Sequence, residues 1–311
     1  MSWLQGLILG LVQGLAEFLP ISSSGHLTIM QELFGIGGSE NLSFDVAVHV
    51  ATVLSTLVVF FKPISNITKG VFTKGFNKEK DYVLKIIISM IPILIVGLFF
   101  KDWVERIFDT ERVARHTGNG LLVVGIMLIV TAVLLLVSEI ISAVRDLKHG
   151  SDAEAKEQKI ADRMTVTENM STAEKCKIFS MQNGINYWQS FLVGVAQSFA
   201  VLPGLSRSGS TIATGLMAKV KKTSIAQFAF LMVIVPILGE ALLEVIKGIK
   251  AGAGTFVFSL PVVCGFFAAF ISGMFACSIM VKLLKKFNLY SFAVYCFIVG
   301  VLCIVLPYVL K

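Results

Sequence analysis

Two stretches put polar and ionisable residues inside otherwise apolar chain: Gln13 to His26, read QGLAEFLPISSSGH, and Gln197 to Thr211, read QSFAVLPGLSRSGST. Each such group is costly in apolar surroundings unless it is paired or put to use. In both stretches a proline is followed by a serine cluster: Pro20 then Ser22, Ser23, Ser24, and Pro203 then Ser206, Arg207, Ser208. Proline stops one helix and serine is a preferred N-cap for the next, so free backbone N–H groups gather at the tip. Helix starts carry partial positive charge and attract anions. Arg207 adds a planar fork that matches phosphate oxygens. Ser22, Ser24, Ser206, Arg207 and Ser208 therefore form a candidate phosphate cradle.

Glu17 precedes Pro20 by three residues, and His26 follows Ser23 by three, which puts serine and imidazole on one helix face. A carboxylate beside phosphates is repulsive unless a cation intervenes. The pattern thus calls for a divalent ion, Mg²⁺ or Ca²⁺, bridging Glu17 and phosphate, with Gln13 one turn away as a neutral ligand. Hydroxyl, imidazole, carboxylate and guanidinium together suit phosphoryl transfer to water, with Ser23, His26 or water itself as nucleophile. Taken singly, His26 reads equally well as a packing residue and the serines as caps. Asp45 and His49, at i and i+4 in SFDVAVHVAT, read either as an outer layer of the site or as a helix-start acid and a packed polar residue. Glu139, Glu240 and Glu244 stand near helix ends and read as interfacial.

The elements that must carry these residues are membrane helices. The 311 residues are 55% hydrophobic and only 15% charged, with a mean hydropathy of +0.81. Soluble domains carry about a quarter charged residues. The net charge of +7 does not signal nucleic acid, because Lys and Arg cluster at the ends of apolar runs, where they encode topology. Met1 to Phe18 has no basic n-region and no small-residue cleavage site, so it is read as part of the fold. The five cysteines show no metal-ligand spacing and are read as free thiols.

Apolar segments are expected at 2–19, 23–35, 43–61, 82–100, 119–144, 187–202, 207–218, 224–246, 255–281 and 288–310. A span needs about 20 residues, so 23–35 and 207–218 are read as second arms of re-entrant hairpins. Gly10, Gln13, Ala16, Ser22, Ser24 and Gly25 recur at Gly194, Gln197, Ala200, Ser206, Ser208 and Gly209, one offset for all six pairs. The expected fold is an all-α polytopic membrane protein of two halves, 1–144 and 187–311, joined by a polar linker, 145–186, read as solvated and either helical or mobile. Each half holds one hairpin and three crossing helices, and three is odd, so the repeat is expected to be inverted. That arrangement collects Lys62 to Lys80, Lys219 to Lys222, Lys282 to Lys286 and the linker on one side, cytoplasmic by charge, against which Lys247 and Lys250 stand as exceptions. The link Lys101 to His116 is balanced in charge and falls on the other side.

With these residues assembled, the chain resembles a known family. Gln13-x-x-x-Glu17 with FLPISSSGH, the FDVAVHVAT stretch and PGLSRSGST are similar to the signatures of bacterial undecaprenyl-diphosphate phosphatases of the bacitracin-resistance type. The resemblance implies a plasma-membrane enzyme that converts the C55 isoprenyl diphosphate to the monophosphate carrier lipid of peptidoglycan synthesis and confers bacitracin resistance. It implies a divalent cation, an outward-facing site, Gln13 and Glu17 as the acidic-motif pair, Ser23 or His26 in catalysis, and Ser206, Arg207 and Thr211 on phosphate. Position 13 is Gln where many members have Glu. The oligomeric state, monomer or homodimer, stays open. A flippase of undecaprenyl phosphate is the alternative, motivated by the broken helices, but Glu17 and His26 exceed what a phosphate carrier needs. A second lipid phosphatase superfamily sharing SGH and SR is excluded, since no His or Asp follows Arg207 at its spacing.

Overall fold

The computed structural model describes residues 1–36, 40–100, 119–149, 160, 163–167, 170–250, 259–286 and 288–309, all helices and connections among those described. The link Lys101 to His116, the centre of the linker, and the side chains of Glu244, Lys247 and Lys250 lie outside the described residues.

Helix α1 (Trp3–Phe18) starts at Ser2, where Ser2 and Gln5 satisfy each other's backbone N–H groups in a capping box. It stops before Pro20, and α2 (Ser23–Leu33) starts at the N-cap Ser22, whose Oγ accepts from Gly25 N–H. With 16 and 11 residues the two arms are short of a full crossing. The second hairpin repeats the construction. After α3 to α7, given below, α8 (Tyr187–Phe199) ends before Pro203, and α9 (Arg207–Met217) starts at the N-cap Ser206.

Each hairpin is followed by apolar helices. In the first half these are α3 (Glu40–Val59), α5 (Lys78–Ile95) and α6 (Leu122–His149). In the second they are α10 (Lys222–Met232) running on into α11 (Ile234–Lys250), α12 (Leu260–Lys286) and α13 (Tyr290–Val309). Among the described residues, five helical runs are long and apolar enough to cross a membrane, six with the bent pair that α3 makes with α4 (Phe61–Val71). The chain is a multi-pass, all-helical membrane protein, as the hydropathy pattern predicts.

Three features differ from the expected segments. A helix, α4, lies within the basic stretch read as a connection, turned 76° from α3. Helix α5 continues as a π-helical turn, Val96–Phe100, just after Pro92, whose missing N–H interrupts the hydrogen-bond ladder. The end of the polar linker folds as α7 (Thr172–Asn183), started by a Ser171–Glu174 capping box.

Helix α7 docks on α5 through a buried polar cluster. Asp81 and Lys85, both fully buried, form an ion pair. Tyr187 O–H donates to Asp81 Oδ1 at 2.7 Å, and Asn183 Nδ2 donates to Oδ2 at 2.9 Å. The Lys85 ammonium lies 5.2 Å from the centre of the Tyr187 ring. Glu139, expected at an interface, is instead buried in α6, accepting from Lys222 Nζ at 2.8 Å and from Leu289 N–H at 3.0 Å.

Small residues set the tightest packing. A Cβ on Gly6 or Gly10 would collide with the backbone of Pro261 or Gly265 on α12, and one on Gly14 would strike the Ala269 carbonyl and Ser272. Gly6, Gly10 and Gly14 recur every four residues, so α1 lies against α12 backbone to backbone. That contact fixes the helix carrying Gln13 and Glu17.

Candidate active site

The two hairpin tips meet. Ser208 Oγ donates to the Leu19 carbonyl at 3.0 Å, and Gly204 N–H points to Ser24 Oγ at 3.4 Å. A Cβ on Gly25 would lie 3.4 Å from Gly204 Cα. Gly204 itself has φ +88° and is hemmed by Val124 of α6, a position open only to glycine. Thr131 of α6 steadies the second tip by accepting from Ser206 N–H at 3.1 Å.

A small cavity opens where the tips join. Glu17 and Phe18 of α1, Thr52 and Thr56 of α3, Arg207, Ser208 and Thr211 of α9, and apolar residues from Ala229 to Ile237 line it. Of the residues singled out from sequence, Glu17, Arg207, Ser208 and Thr211 thus share one space. Ser22, Ser24 and Ser206 build the turns instead: Ser22 Oγ and Ser206 Oγ accept from Gly25 and Gly209 N–H at 3.2 and 3.0 Å, as N-caps do. Thr211 Oγ1 donates back to the Arg207 carbonyl at 2.9 Å.

Glu17 is the hub on the first hairpin. Its Oε2 accepts from Ser23 Oγ at 2.6 Å and from Gln13 Nε2 at 2.9 Å. The short hydroxyl–carboxylate contact is the strong, charge-assisted kind, and it places a proton acceptor on Ser23. Gln13 is fully buried, and its Oε1 has no hydrogen-bond partner among the described residues. Such an oxygen needs a cation or a donor. One amide oxygen and one carboxylate are hard oxygen ligands of the type Mg²⁺ and Ca²⁺ take, with phosphates and water completing the shell, so the donor set fits a divalent ion. Among the described residues no cluster of three or more His, Cys, Asp or Glu is placed to hold a metal by protein ligands alone.

His26 faces elsewhere. Its Nδ1 lies 2.8 Å from the Ser22 carbonyl and its Nε2 lies 2.7 Å from Tyr295 Oη on α13, with the two rings stacked 10° from parallel. A carbonyl only accepts, so Nδ1 carries the proton, and in the neutral ring Nε2 accepts from the tyrosine O–H. The imidazole therefore braces Ser22, which is held at φ +71°, a costly conformation for a residue with a side chain.

On α3, His49 Nδ1–H donates to the Asp45 carbonyl at 2.7 Å, and Asp45 Oδ1 accepts from Gln31 Nε2 of α2 at 3.1 Å. Asp45 thus braces the first hairpin against α3.

Three participants were not read from sequence as part of the site. Thr52 and Thr56 follow His49 at i+3 and i+7, a polar stripe that helical periodicity exposes. Glu240, read as interfacial, is hydrogen-bonded to Arg207, Nη2 to Oε2 at 2.8 Å. Its only local signal is a carboxylate within an apolar run.

Comparison with known proteins follows the same lines. The family model described as Bacitracin resistance protein BacA matches residues 6–302. A protein named undecaprenyl-diphosphatase from Bacteroides fragilis is 49% identical over 307 residues, covering 98% of this chain and 98% of the relative. Proteins of the same name from Parabacteroides distasonis and Methanosphaera stadtmanae are 48% and 33% identical, covering 98% or more of each chain. With a match that takes in both hairpins and reaches into the last crossing helix, the chain belongs to the bacitracin resistance protein BacA family.

Proposed function

We propose that the chain hydrolyses undecaprenyl diphosphate to undecaprenyl phosphate and inorganic phosphate, recycling the carrier lipid of peptidoglycan synthesis and so conferring bacitracin resistance. The single observation that carries this reading at the site is the meeting of the two tips, which sets a hydroxyl–carboxylate pair from one hairpin against a guanidinium from the other. Full-length relatives named for this activity favour it over a flippase.

Arg207 receives the terminal phosphate in the space that Ser208 and Thr211 line, their hydroxyls turned to the Leu19 and Arg207 carbonyls, and the starts of α2 and α9 add their dipoles. Glu17 takes the Ser23 proton as Oγ attacks the terminal phosphorus. The new P–O bond forms in line as the anhydride bond to the prenyl phosphate breaks. Water then attacks the phosphoserine, the P–O bond to Ser23 Oγ breaks with release of inorganic phosphate, and Glu17 returns the proton to Oγ. Arg207 neutralises charge on the phosphoryl oxygens throughout. Gln13 Oε1 and Glu17 would hold a divalent ion, which when bound supplies positive charge to the phosphates. His26 and Tyr295 keep the first tip in place. The two halves lie in opposite orientation in the bacterial plasma membrane, the basic connections inside and the site open to the outer face.

Purified protein in detergent should release inorganic phosphate from undecaprenyl diphosphate, and a chelator should abolish the release. Translocation of prenyl phosphate across vesicles with no hydrolysis at all would replace this reading with the flippase.

A further inference from the structure

Glu240 is supplied by neither hairpin. It sits on α11 one turn beyond Ile237, which lines the cavity, and its Oε2 is 2.8 Å from Arg207 Nη2. The two partners differ in freedom: the Arg207 side chain is 18% exposed and that of Glu240 is 42% exposed. The carboxylate is therefore the partner nearer solvent and the guanidinium the more enclosed one. The cavity beside them has a volume of ≈ 20 Å³, enough for about one water. A phosphate cannot enter until a wall group moves.

A carboxylate and a phosphate both use the planar N–H edge of a guanidinium. Whichever holds that edge excludes the other. A guanidinium left uncompensated in low-dielectric surroundings is strongly unfavourable, so a resident anion stabilises the site between substrates. The same anion weakens every phosphate that must displace it, which is an advantage when product has to leave. Binding strength shared equally by substrate, product and transition state lowers KM without raising kcat.

We infer that Glu240 is the displaceable counter-ion of the phosphate site: it holds the Arg207 edge when the site is empty, yields it to the arriving diphosphate and retakes it as phosphate departs. The role rests on the phosphatase reading above. It makes Glu240 a positioning residue acting through Arg207.

The test is calorimetric titration of the full-length protein in detergent with inorganic phosphate, which requires no turnover. Glu240→Gln removes the charge and keeps the shape, and is expected to bind phosphate about tenfold more tightly than wild type, on the scale of one charge pair at a partly exposed site. Glu240→Ala shifts affinity in the same direction, and Glu240→Asp, which keeps the charge, stays near wild type. In turnover, both neutral variants lower KM and kcat together, with phosphate inhibiting at about tenfold lower concentration, because release becomes slower. Unchanged or weaker phosphate binding in the neutral variants overturns the inference, as does tightening in Glu240→Asp equal to that in Glu240→Gln. Failure of wild type to hydrolyse prenyl diphosphate would instead sink the phosphatase reading and leave the phosphate titration interpretable.

Discussion

The smallest unit with chemical meaning here is one oxygen, Glu17 Oε2, which accepts from both Ser23 and Gln13. Its surroundings were legible in the sequence because all three residues lie within eleven positions of one another, on either side of a proline that folds the chain back. Tyr295 and Glu240 were not legible: each reaches its partner across a long stretch of chain, His26 and Arg207 respectively, and no local pattern encodes such a pairing. The same distance hid the posture of His26, which shares a helix face with Ser23 in principle but turns both ring nitrogens to the Ser22 carbonyl and Tyr295. If the imidazole is a brace, Tyr295→Phe should keep the ring stack, lose one hydrogen bond worth about 1 kcal/mol, lower the thermal midpoint by a few degrees and reduce turnover less than tenfold. Ser23→Ala should reduce turnover at least a hundredfold, the cost of losing a positioned nucleophile. Both are read by a melt in detergent and a phosphate-release assay, and a larger turnover loss in Tyr295→Phe than in Ser23→Ala would reverse the two roles.

Among the elements, short helices carry the candidate site residues and long ones hold them. Helix α1 has the apolar composition of a membrane segment yet only 16 residues, and its Gly6, Gly10, Gly14 stripe explains how it is fixed: no side chain separates it from α12. Gly10→Val should wedge the two apart, costing about 3 kcal/mol or more for an overpacked backbone contact, and abolish activity by displacing Glu17. A normal melting midpoint would show that the helices do not lie so close. The hairpins and crossing helices were legible from hydropathy, while α4 was not, and α7 only as part of a linker that could be helical. Helix α4 lies among lysines that read as a connection, and α7 is polar and is fixed by its own Asn183 reaching Asp81, 102 positions back in the chain. Asp81→Asn leaves Lys85 buried with reduced compensation and should cost about 3–5 kcal/mol. Asp81→Asn with Lys85→Met should recover much of it, a coupling that a double-mutant cycle measures. Additive losses would place the two outside a common cluster.

At the scale of the whole molecule, hydropathy and glycine spacing tell that there are two similar units, but only the folded chain brings their tips into contact, Ser208 to Leu19 and Gly204 to Ser24. The duplicated prolines and serine caps made that meeting foreseeable, since two helix starts with one arginine and one glutamate between them have an obvious common ligand. The proposed side of the membrane on which the site opens rests on the basic connections alone. A cysteine placed at the exposed Lys69 of α4 should react with a membrane-impermeant thiol reagent only from the cytoplasmic side, and labelling from outside would invert the topology. In the proposed function both hairpins together make one phosphatase site, and the most direct test takes one residue from each. Phosphate release from undecaprenyl diphosphate should fall at least a hundredfold, about 2.7 kcal/mol or more of transition-state stabilisation, in Glu17→Ala and in Arg207→Ala alike. Wild-type turnover in either variant would contradict it.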